Sequence, residues 1–285
     1  MTYSDTIVTI RSFLAKDAAI MSKAHTVSTI RQLVSDGEKF TMLTAYDATF
    51  AHLFSANGIE TLLVGDSLGM VCQGRSSTLP VTLDEMVYHT AAVARGNQGA
   101  LLIADMPFNS YGSVAQALDS AGRLMQAGAQ MVKLEGGAWL ADAVTAMSRA
   151  GIPTCLHLGL TPQSVNKFGG YKVQGRDEAS AQLMINDALA LVAAGADFIL
   201  LECVPASLAK ALTETVSAPV IGIGAGNSTD GQVLVSYDML GLTQHRLAKF
   251  VKNYMAQANT WESAVASYIQ DVKSGQFPAP EHSFE

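Results

Sequence analysis

The feature that most constrains the fold is a short apolar run that recurs along the chain and ends each time on an ionisable residue. The clearest example is TLLVGDSLG at 61–69, where a hydrophobic segment stops abruptly at Gly65 and Asp66. Comparable runs at 101–105, 131–135, 154–157 and 198–202 end on Asp105, Glu135, His157 and Glu202. Runs of this length are typical of buried parallel strands. If the strands are neighbours, their terminal side chains converge on one site.

Segments with helical spacing separate the apolar runs. Strands are predicted at 41–45, 61–69, 101–105, 131–135, 154–158, 198–201, 220–223 and about 232–235, with helices between and after them and a short helix at 26–36 before them. Thr82 and Glu85 form a predicted capping box at the start of one helix. Eight strands alternating with helices predict an α/β fold, a (β/α)8 TIM barrel. Polar, glycine-rich segments at 74–80 and 159–175 predict extended loops over its C-terminal face.

Composition favours one large domain that acts on small molecules. The chain has 285 residues, of which 49% are hydrophobic, and we expect residues 21–285 to form a single catalytic domain. Residues 1–20 do not resemble a signal peptide and are predicted to be a disordered extension. The net charge is −7 without a basic block, which argues against nucleic-acid or membrane partners. Three scattered cysteines, with no paired spacing, favour a reducing cytoplasm.

The strand ends direct the chemistry, because catalytic groups of such barrels lie on the C-terminal ends of the strands. Six side chains are predicted there: Asp47, Asp66, Asp105, Glu135, His157 and Glu202. Several carboxylates facing one pocket repel each other unless a cation neutralises them. Magnesium, which prefers oxygen ligands and keeps several waters, is the expected ion. Asp66, Asp105 and Glu135 come from adjacent strands and form the best ligand set, some of them acting through water.

Each candidate also has a structural interpretation. An aspartate after a strand is often a helix N-cap, and His157 could be a hydrogen-bonded core residue. Lys133 shares a strand face with Glu135, which favours a cation for a substrate carboxylate, although a buried ion pair is the alternative. Cys203 alternates to the face opposite Glu202 and is predicted to be a packing residue. Glycines at 222, 224 and 226 could bind a phosphate or simply allow close packing.

Several longer segments carry a resemblance to a known family. They are VGDSLGM at 64–70, STLP at 77–80, YHT at 88–90, KLEGG at 133–137, HLGLTPQ at 157–163, FGGYKVQG at 168–175, LECVP at 201–205, IGIGAGN at 221–227 and EHSF at 281–284. Together they resemble ketopantoate hydroxymethyltransferase from about residue 40 to 284. Only residues 1–20 clearly fall outside the pattern.

The resemblance implies a reaction and assigns roles to residues. The family transfers a hydroxymethyl group from 5,10-methylenetetrahydrofolate to 3-methyl-2-oxobutanoate, giving 2-dehydropantoate for pantothenate biosynthesis. Asp66, Asp105 and Glu135 match the magnesium positions; Asp66, Ser67, Asp105 and Lys133 match the ketoacid-binding positions; Glu202 matches the catalytic base. Magnesium would stabilise an enolate of the ketoacid. Family members form homo-oligomers, often decamers. We add the hypothesis that His157 and Tyr46 orient substrate or metal-bound water.

Two other functions fit the same pattern less well. A magnesium-dependent carbon–carbon lyase of the isocitrate lyase type would share the metal chemistry, but such lyases generally carry a catalytic cysteine in a mobile loop, and the segment 74–80 has none. A catalytically silent scaffold would not need mutually repelling carboxylates at successive strand ends.

Overall fold

Eight parallel strands close into a barrel in sequence order in the computed structural model, which describes residues 24–244 and 246–285. The predicted extension at 1–20 lies outside the described residues. The strands are β1 (Phe40–Thr44), β2 (Thr61–Val64), β3 (Leu101–Asp105), β4 (Met131–Glu135), β5 (Thr154–Gly159), β6 (Phe198–Glu202), β7 (Val220–Ile223) and β8 (Gly231–Leu234). β8 pairs with β1 and completes the ring. The predicted TIM barrel is confirmed. The strand predicted at 61–69 ends at Val64, because a helix begins at Leu68, and the other strand ends lie within about one residue of those predicted.

Helices surround the barrel. They are α1 (Val27–Ser35), α2 (Ala48–Ala56), α3 (Leu68–Val71), α4 (Leu83–Gly96), α5 (Val114–Gln126), α6 (Ala141–Arg149), α7 (Val165–Phe168), α8 (Glu178–Ala193), α9 (Ala206–Thr215), α10 (Ser236–Met239) and α11 (Trp261–Lys273). The predicted capping box is present at α4, where the Thr82 hydroxyl accepts from Glu85 N–H and Glu85 accepts from Thr82 N–H. Asp47 caps α2 by accepting from Phe50 N–H at 2.9 Å, so the N-cap interpretation holds for this residue.

One connection differs from the prediction. A helix was expected between β7 and β8, but residues 224–230 form an irregular loop. Gly224 and Gly226 adopt positive φ angles of 60° and 73°, which interrupt helical geometry. The Asp230 carboxylate accepts a hydrogen bond from Val220 N–H at 2.8 Å and ties the loop back to the start of β7. The loop is therefore held without a helix.

The core has two layers because strand side chains alternate between the barrel interior and the surrounding helices. Phe40, Met42, Ile103, Met131 and Phe198 belong to the interior cluster. The outer layer includes α11, whose Tyr268 is fully buried and donates to the carbonyl oxygens of Met42 (3.0 Å) and Gln232 (2.8 Å). This face of α11 thus packs within the subunit.

Strand periodicity also decides which side chains reach the upper end of the interior. Lys133 and Glu135 follow Met131 at intervals of two along β4, and Asp105 follows Ile103 along β3. These polar residues therefore continue the interior face beyond the apolar layer. Within the described part of the chain, no helix is long and apolar enough to cross a membrane.

Candidate active site

A buried ionic cluster lies at the C-terminal end of the barrel. Lys133 Nζ is 3.0 Å from Asp105 Oδ1, 3.7 Å from Glu135 Oε1 and 3.3 Å from His157 Nδ1. None of these four residues is more than 5% exposed. The structure thus brings the predicted residues of β3, β4 and β5 together. Lys133 makes a buried ion pair and also lines the cavity, so the ion pair does not rule out contact with a substrate.

Asp66 joins the cluster just beyond the end of β2. Its backbone N–H donates to Asp105 Oδ2 at 3.0 Å, and its Oδ2 atom accepts from the Gln163 amide at 2.8 Å. Gly65 makes this turn possible, since a Cβ atom there would lie only 2.7 Å from Ser67 Oγ. The carboxylates of Asp66 and Asp105 are therefore held side by side.

Gln163 is a site residue that the sequence analysis did not single out. Its backbone N–H donates to Glu135 Oε2 at 2.9 Å, while its side-chain amide donates to both Asp66 and the Met106 carbonyl. The Tyr111 hydroxyl donates to Gln163 Oε1 and fixes the orientation of the amide. Gln163 thus ties together carboxylates from two strands. The motif at 157–163 contains this residue, but only the folded loop shows its contacts.

His157 connects the cluster to Glu202 on the next strand. Its Nδ1 atom is 3.2 Å from Glu135 Oε1, and its Nε2 atom is 3.4 Å from Glu202 Oε2. Glu202 has the more open position, with 16% of its side chain exposed compared with 3% for His157. A buried imidazole between two carboxylates can orient Glu202 while leaving that carboxylate accessible from the cavity.

Burial and mutual charge shift the pKa values of the cluster. Burial raises the pKa of Asp66 well above its usual value, and the charges of Asp105 and Glu135 raise it further. Burial also raises the pKa of Asp105, although Lys133 opposes this change. Burial alone would lower the pKa of Lys133, but Asp105 and Glu135 more than compensate, so it is raised. Lys133 is therefore a cation at neutral pH.

The pKa values of Glu135 and His157 shift in complementary directions. Burial disfavours the Glu135 carboxylate, but His157 and Lys133 outweigh burial and lower its pKa. Burial and Lys133 disfavour the charged form of His157, whereas Glu135 and Glu202 raise its pKa to about 9. The cluster thus alternates negative and positive groups, which is how several carboxylates can share a small volume.

Ser67 and Tyr46 lie on one side of the cluster. The Tyr46 hydroxyl and Ser67 Oγ are 2.9 Å apart, and Ser67 lines the cavity above the ionic groups. Tyr46 is 2% exposed and its backbone carbonyl lies 2.7 Å from His89 Nδ1. Its contact with any substrate would run through Ser67, so Tyr46 orients the serine.

The position of Cys203 differs from the prediction. Cys203 was expected on the face opposite Glu202, but both residues line the same cavity. The backbone of Cys203 has a φ of +47°, which is uncommon for a residue with a side chain and breaks the alternation of β6. Cys203 is still only 6% exposed, so the expectation that it is buried is confirmed.

The glycine cluster after β7 supports close packing. A Cβ atom at Gly224 would lie 2.9 Å from the Phe250 ring, and one at Gly226 would lie 2.6 Å from Ala206 Cβ. Gly222 is similarly close to Thr229. These glycines let neighbouring segments approach the barrel rim.

The donor set fits magnesium as a site with two carboxylates. In residues 24–244 and 246–285, no three His, Cys, Asp or Glu side chains are grouped so that they alone could hold a metal ion, and Lys133 lies between Asp105 and Glu135. Asp66 and Asp105 both line the cavity, and the buried Asp105 Oδ1 atom lacks a well-directed hydrogen bond. Magnesium often takes only one or two carboxylates plus water and substrate oxygens. A direct role for Glu135 remains a prediction.

A cavity of about 520 Å³ opens above the cluster and is lined by the predicted site residues Asp66, Ser67, Asp105, Lys133, Glu135, His157 and Glu202. This volume lies in the usual range for small-molecule sites. Asp47 does not line it, consistent with its role as a helix cap. Six of these seven predicted residues are ionisable, so this part of the cavity combines acid, base and cation within reach of one small ligand.

The sequence matches one enzyme family over most of its length. The family described as ketopantoate hydroxymethyltransferase matches residues 24–280. A 3-methyl-2-oxobutanoate hydroxymethyltransferase of Marinobacter nauticus is 62% identical over 262 residues, covering 92% of this chain and 99% of that protein. The enzyme of the same name from Erwinia tasmaniensis is 58% identical over 263 residues, covering 92% of this chain and 100% of that protein.

Similar solved structures support the fold alone, because their sequence identities are low. Phosphonopyruvate hydrolase superposes with a TM-score of 0.60 at 13% identity, covering 76% of this chain and 84% of that one. A 2,3-dimethylmalate lyase of the PEP mutase/isocitrate lyase superfamily superposes with a TM-score of 0.57 at 16% identity, covering 78% and 84%. The family match across residues 24–280, together with the high identity to full-length relatives, shows that this chain belongs to the ketopantoate hydroxymethyltransferase family.

Proposed function

We propose that this enzyme transfers a hydroxymethyl group from 5,10-methylenetetrahydrofolate to 3-methyl-2-oxobutanoate, forming 2-dehydropantoate for pantothenate biosynthesis. Its relatives named 3-methyl-2-oxobutanoate hydroxymethyltransferase support the transfer. The observation that carries the proposal is the position of Glu202, an accessible carboxylate at the open edge of a buried cluster of paired charges. That arrangement suits removal of a proton from a small anionic ketoacid.

Asp66 and Asp105 would hold magnesium, with Glu135 behind Lys133 as a further contributor. When bound, magnesium acts as a Lewis acid that polarises the keto group of the ketoacid. Lys133 supplies a permanent cation, and Ser67 supplies a hydroxyl fixed by Tyr46, for binding the ketoacid carboxylate. The ketoacid would thus lie with its C3 atom toward Glu202.

Glu202 would remove the proton from C3 as a general base. Water displaces both nitrogens of the folate donor from its methylene carbon, each nitrogen taking one proton, and the electron pair left on C3 then forms a bond to that carbon. Water supplies the hydroxyl oxygen of the transferred unit. His157, fixed by Glu135, keeps the Glu202 carboxylate in position and provides a hydrogen-bonding group for its protonated form.

Exchange of the C3 proton in deuterated water tests this proposal without the folate donor. We expect Glu202→Gln to bind the ketoacid but to lose exchange by about 10²–10⁴-fold, the usual contribution of a general base. Proton NMR follows exchange, and calorimetry follows binding. Glu214→Gln, an exposed side chain outside the cavity, is the matched control.

Three outcomes separate the alternative functions. Magnesium-dependent exchange and folate-dependent turnover by the unmodified enzyme support hydroxymethyl transfer. Cleavage of a 2-hydroxyacid without any folate requirement would instead indicate a lyase. If the chain binds neither ketoacid nor magnesium, it is a scaffold. Unchanged exchange in Glu202→Gln would remove Glu202 from its role as the base.

We also propose that the enzyme works on small-molecule substrates as a cytoplasmic homo-oligomer, consistent with the assembly of family members into decamers. Large apolar side chains are exposed, such as Trp139 (66%) and Leu183 (61%), and they support an interface between subunits. Light scattering at several protein concentrations measures the assembly. A monomer at every concentration would contradict this proposal.

A further inference from the structure

The cavity is larger than the ketoacid requires. Its volume of about 520 Å³ matches sites for drug-sized ligands, whereas 3-methyl-2-oxobutanoate has only five carbons. The deepest lining groups are the ionic residues, each at most 5% exposed apart from Glu202 and Ser67. The outer wall is mainly apolar and includes Met70, Pro162, Tyr171, Val173 and Phe250. The cavity therefore has room for a second, larger molecule outside the ketoacid.

Two large apolar side chains meet across the mouth of the cavity. Tyr171 is 52% exposed and Met70 is 38% exposed, and the Tyr171 hydroxyl donates to Met70 Sδ at 3.7 Å. They come from different segments, the loop after β5 and helix α3, so their contact is a tertiary feature. An exposed aromatic ring beside a polarizable thioether offers a surface on which a flat heterocycle can stack.

Tyr171 lines the same cavity as the ionic cluster. Burial raises the pKa of its hydroxyl, and the charges of Glu202, Asp66 and Glu135 raise it further. Because Tyr171 and Glu202 line the same cavity, a heterocycle stacked on this ring would share that cavity with the ketoacid. The geometry thus suits a donor that must bring one carbon to Glu202.

Positive charge is present at the same mouth. Lys172 and Arg246 both line the cavity and are exposed. Within the described ranges 24–244 and 246–285, neither has an acidic partner within 4.0 Å, unlike Lys133 at the base of the cavity. Two uncompensated cations on a chain of net charge −7 favour an anionic ligand at this point.

We propose that Tyr171 and Met70 bind the pterin ring of the folate donor, and that Lys172 and Arg246 bind the carboxylates of its glutamate tail. This inference rests on the proposed function, because it assigns the second substrate of that reaction to the outer cavity. The flat ring of the donor would contact Tyr171 and Met70. Its anionic tail would contact Lys172 and Arg246, and its reactive carbon would lie toward Glu202.

The first experiment measures the KM for 5,10-methylenetetrahydrofolate in Tyr171→Ala and Tyr171→Phe. We expect Tyr171→Ala to raise this KM by about tenfold, since stacking of one base on an aromatic ring is of that order, and Tyr171→Phe to change it by less than about threefold. C3 exchange of the ketoacid, measured without folate, should be retained in both. Tyr88→Ala, which removes a 70%-exposed tyrosine outside the cavity, is the matched control.

The second experiment compares donors with one and with several glutamates. We expect Lys172→Ala and Arg246→Ala to raise the KM for the longer donor more than that for the shorter one, because a longer tail offers more carboxylates. Added salt should reduce the difference. Lys167→Ala removes an exposed lysine from helix α7, five residues before Lys172, without altering the cavity lining and should behave like the unmodified enzyme.

The outcomes distinguish this inference from the proposed function. An unchanged donor KM in Tyr171→Ala, with exchange intact, would overturn the inference while leaving the function in place. Equilibrium binding of tetrahydrofolate, monitored by fluorescence, gives a second measure: we expect weaker binding in Tyr171→Ala, and equal affinity would overturn the inference. If the unmodified enzyme shows neither exchange nor folate-dependent turnover, the proposed function fails, and the inference fails with it.

Discussion

At the N-terminal end of the barrel, buried and partly buried carboxylates accept hydrogen bonds from strand backbones, whereas at the C-terminal end buried carboxylates face a cavity and one another. Glu60 accepts from Thr41 N–H at 2.9 Å and pairs with Lys273 Nζ at 2.6 Å. Asp197 accepts from Thr154 N–H at 3.0 Å, at the first residue of β5. Each lower carboxylate thus satisfies a backbone donor at or near the start of a strand.

The upper carboxylates are arranged for a different purpose. Asp66 and Asp105 are side by side, burial raises the pKa of both, and the buried Oδ1 atom of Asp105 lacks a well-directed hydrogen bond. Buried groups of like charge cost stability, and they cluster at functional sites, where a ligand can complete their contacts. The comparison teaches that burial of an acid does not by itself indicate function. The two ends differ in whether the carboxylate oxygens accept hydrogen bonds from a strand backbone or face a cavity that a ligand can enter.

The largest expected effect comes from removing the cation of the upper cluster. Lys133→Met leaves the two buried carboxylates of Asp105 and Glu135 without their shared partner, and breaking a buried pair typically costs about 3–5 kcal/mol. Denaturant unfolding in metal-free buffer measures the loss. Lys210→Met, which changes an exposed lysine, is the control. A loss no larger than that of the control would show that the cluster does not depend on Lys133.

The same variant should have a distinctive pH dependence. Asp66 has a raised pKa in the folded protein, so the folded state binds a proton that the unfolded state has released. The free energy of unfolding therefore increases as the pH falls from above the raised pKa of Asp66 toward its ordinary value of 3.8. Removing Lys133, which lowers this pKa, should make the increase larger. Unfolding at several pH values measures it. If the stability lost by Lys133→Met grew as the pH fell, the idea that the carboxylates repel one another would be contradicted.

The next largest expected effect on stability comes from metal binding, which should involve only the carboxylates at the C-terminal end of the barrel. Magnesium at about 100 times its Kd should stabilise the unmodified enzyme by about 2.7 kcal/mol, because it binds only the folded state. Asp105→Asn should lose most of this gain, since it removes one of two carboxylate ligands. Thermal unfolding with and without magnesium is the measurement. Asp142→Asn, outside the cavity, should keep the full gain; equal gains in both variants would exclude Asp105 as a ligand.

The lower carboxylates should affect stability alone. Glu60→Ala leaves Thr41 N–H buried without a partner, which costs about 1–3 kcal/mol. Glu60→Gln keeps an acceptor and should cost less. Both variants should retain kcat/KM, because Glu60 lies at the end opposite the cavity. A fall in kcat/KM as large as the fall in stability would break the distinction between the two ends.

The smallest effect tests whether position at a strand end is sufficient for function. Asp47→Ala removes the N-cap of α2 and should cost about 1 kcal/mol. Asp47→Asn keeps a capping oxygen and should be nearly neutral. Turnover should be unchanged in both variants, measured alongside thermal unfolding. Lost turnover in the correctly folded Asp47→Asn would assign Asp47 to the site after all.

The periodic parts of the fold could be predicted from sequence. Strand and helix patterns gave the barrel, and the spacing of two between Lys133 and Glu135 placed both on the interior face. The helix expected between β7 and β8 is absent, because the glycines at 224 and 226 take positive φ angles that a spacing argument does not reveal. Cys203 was placed on the wrong face for the same reason, since one positive φ angle breaks alternation.

The sequence by itself determined that ionisable groups end successive strands, because alternation and apolar run length follow from local geometry. It could not determine that Lys133 lies between Asp105 and Glu135, that Asp47 only caps a helix, or that Gln163 ties Asp66 to Glu135. Those contacts join residues far apart in the chain. Only the closed barrel fixes their distances, and distance and burial decide which charges pair, which remain unsatisfied and which face the cavity.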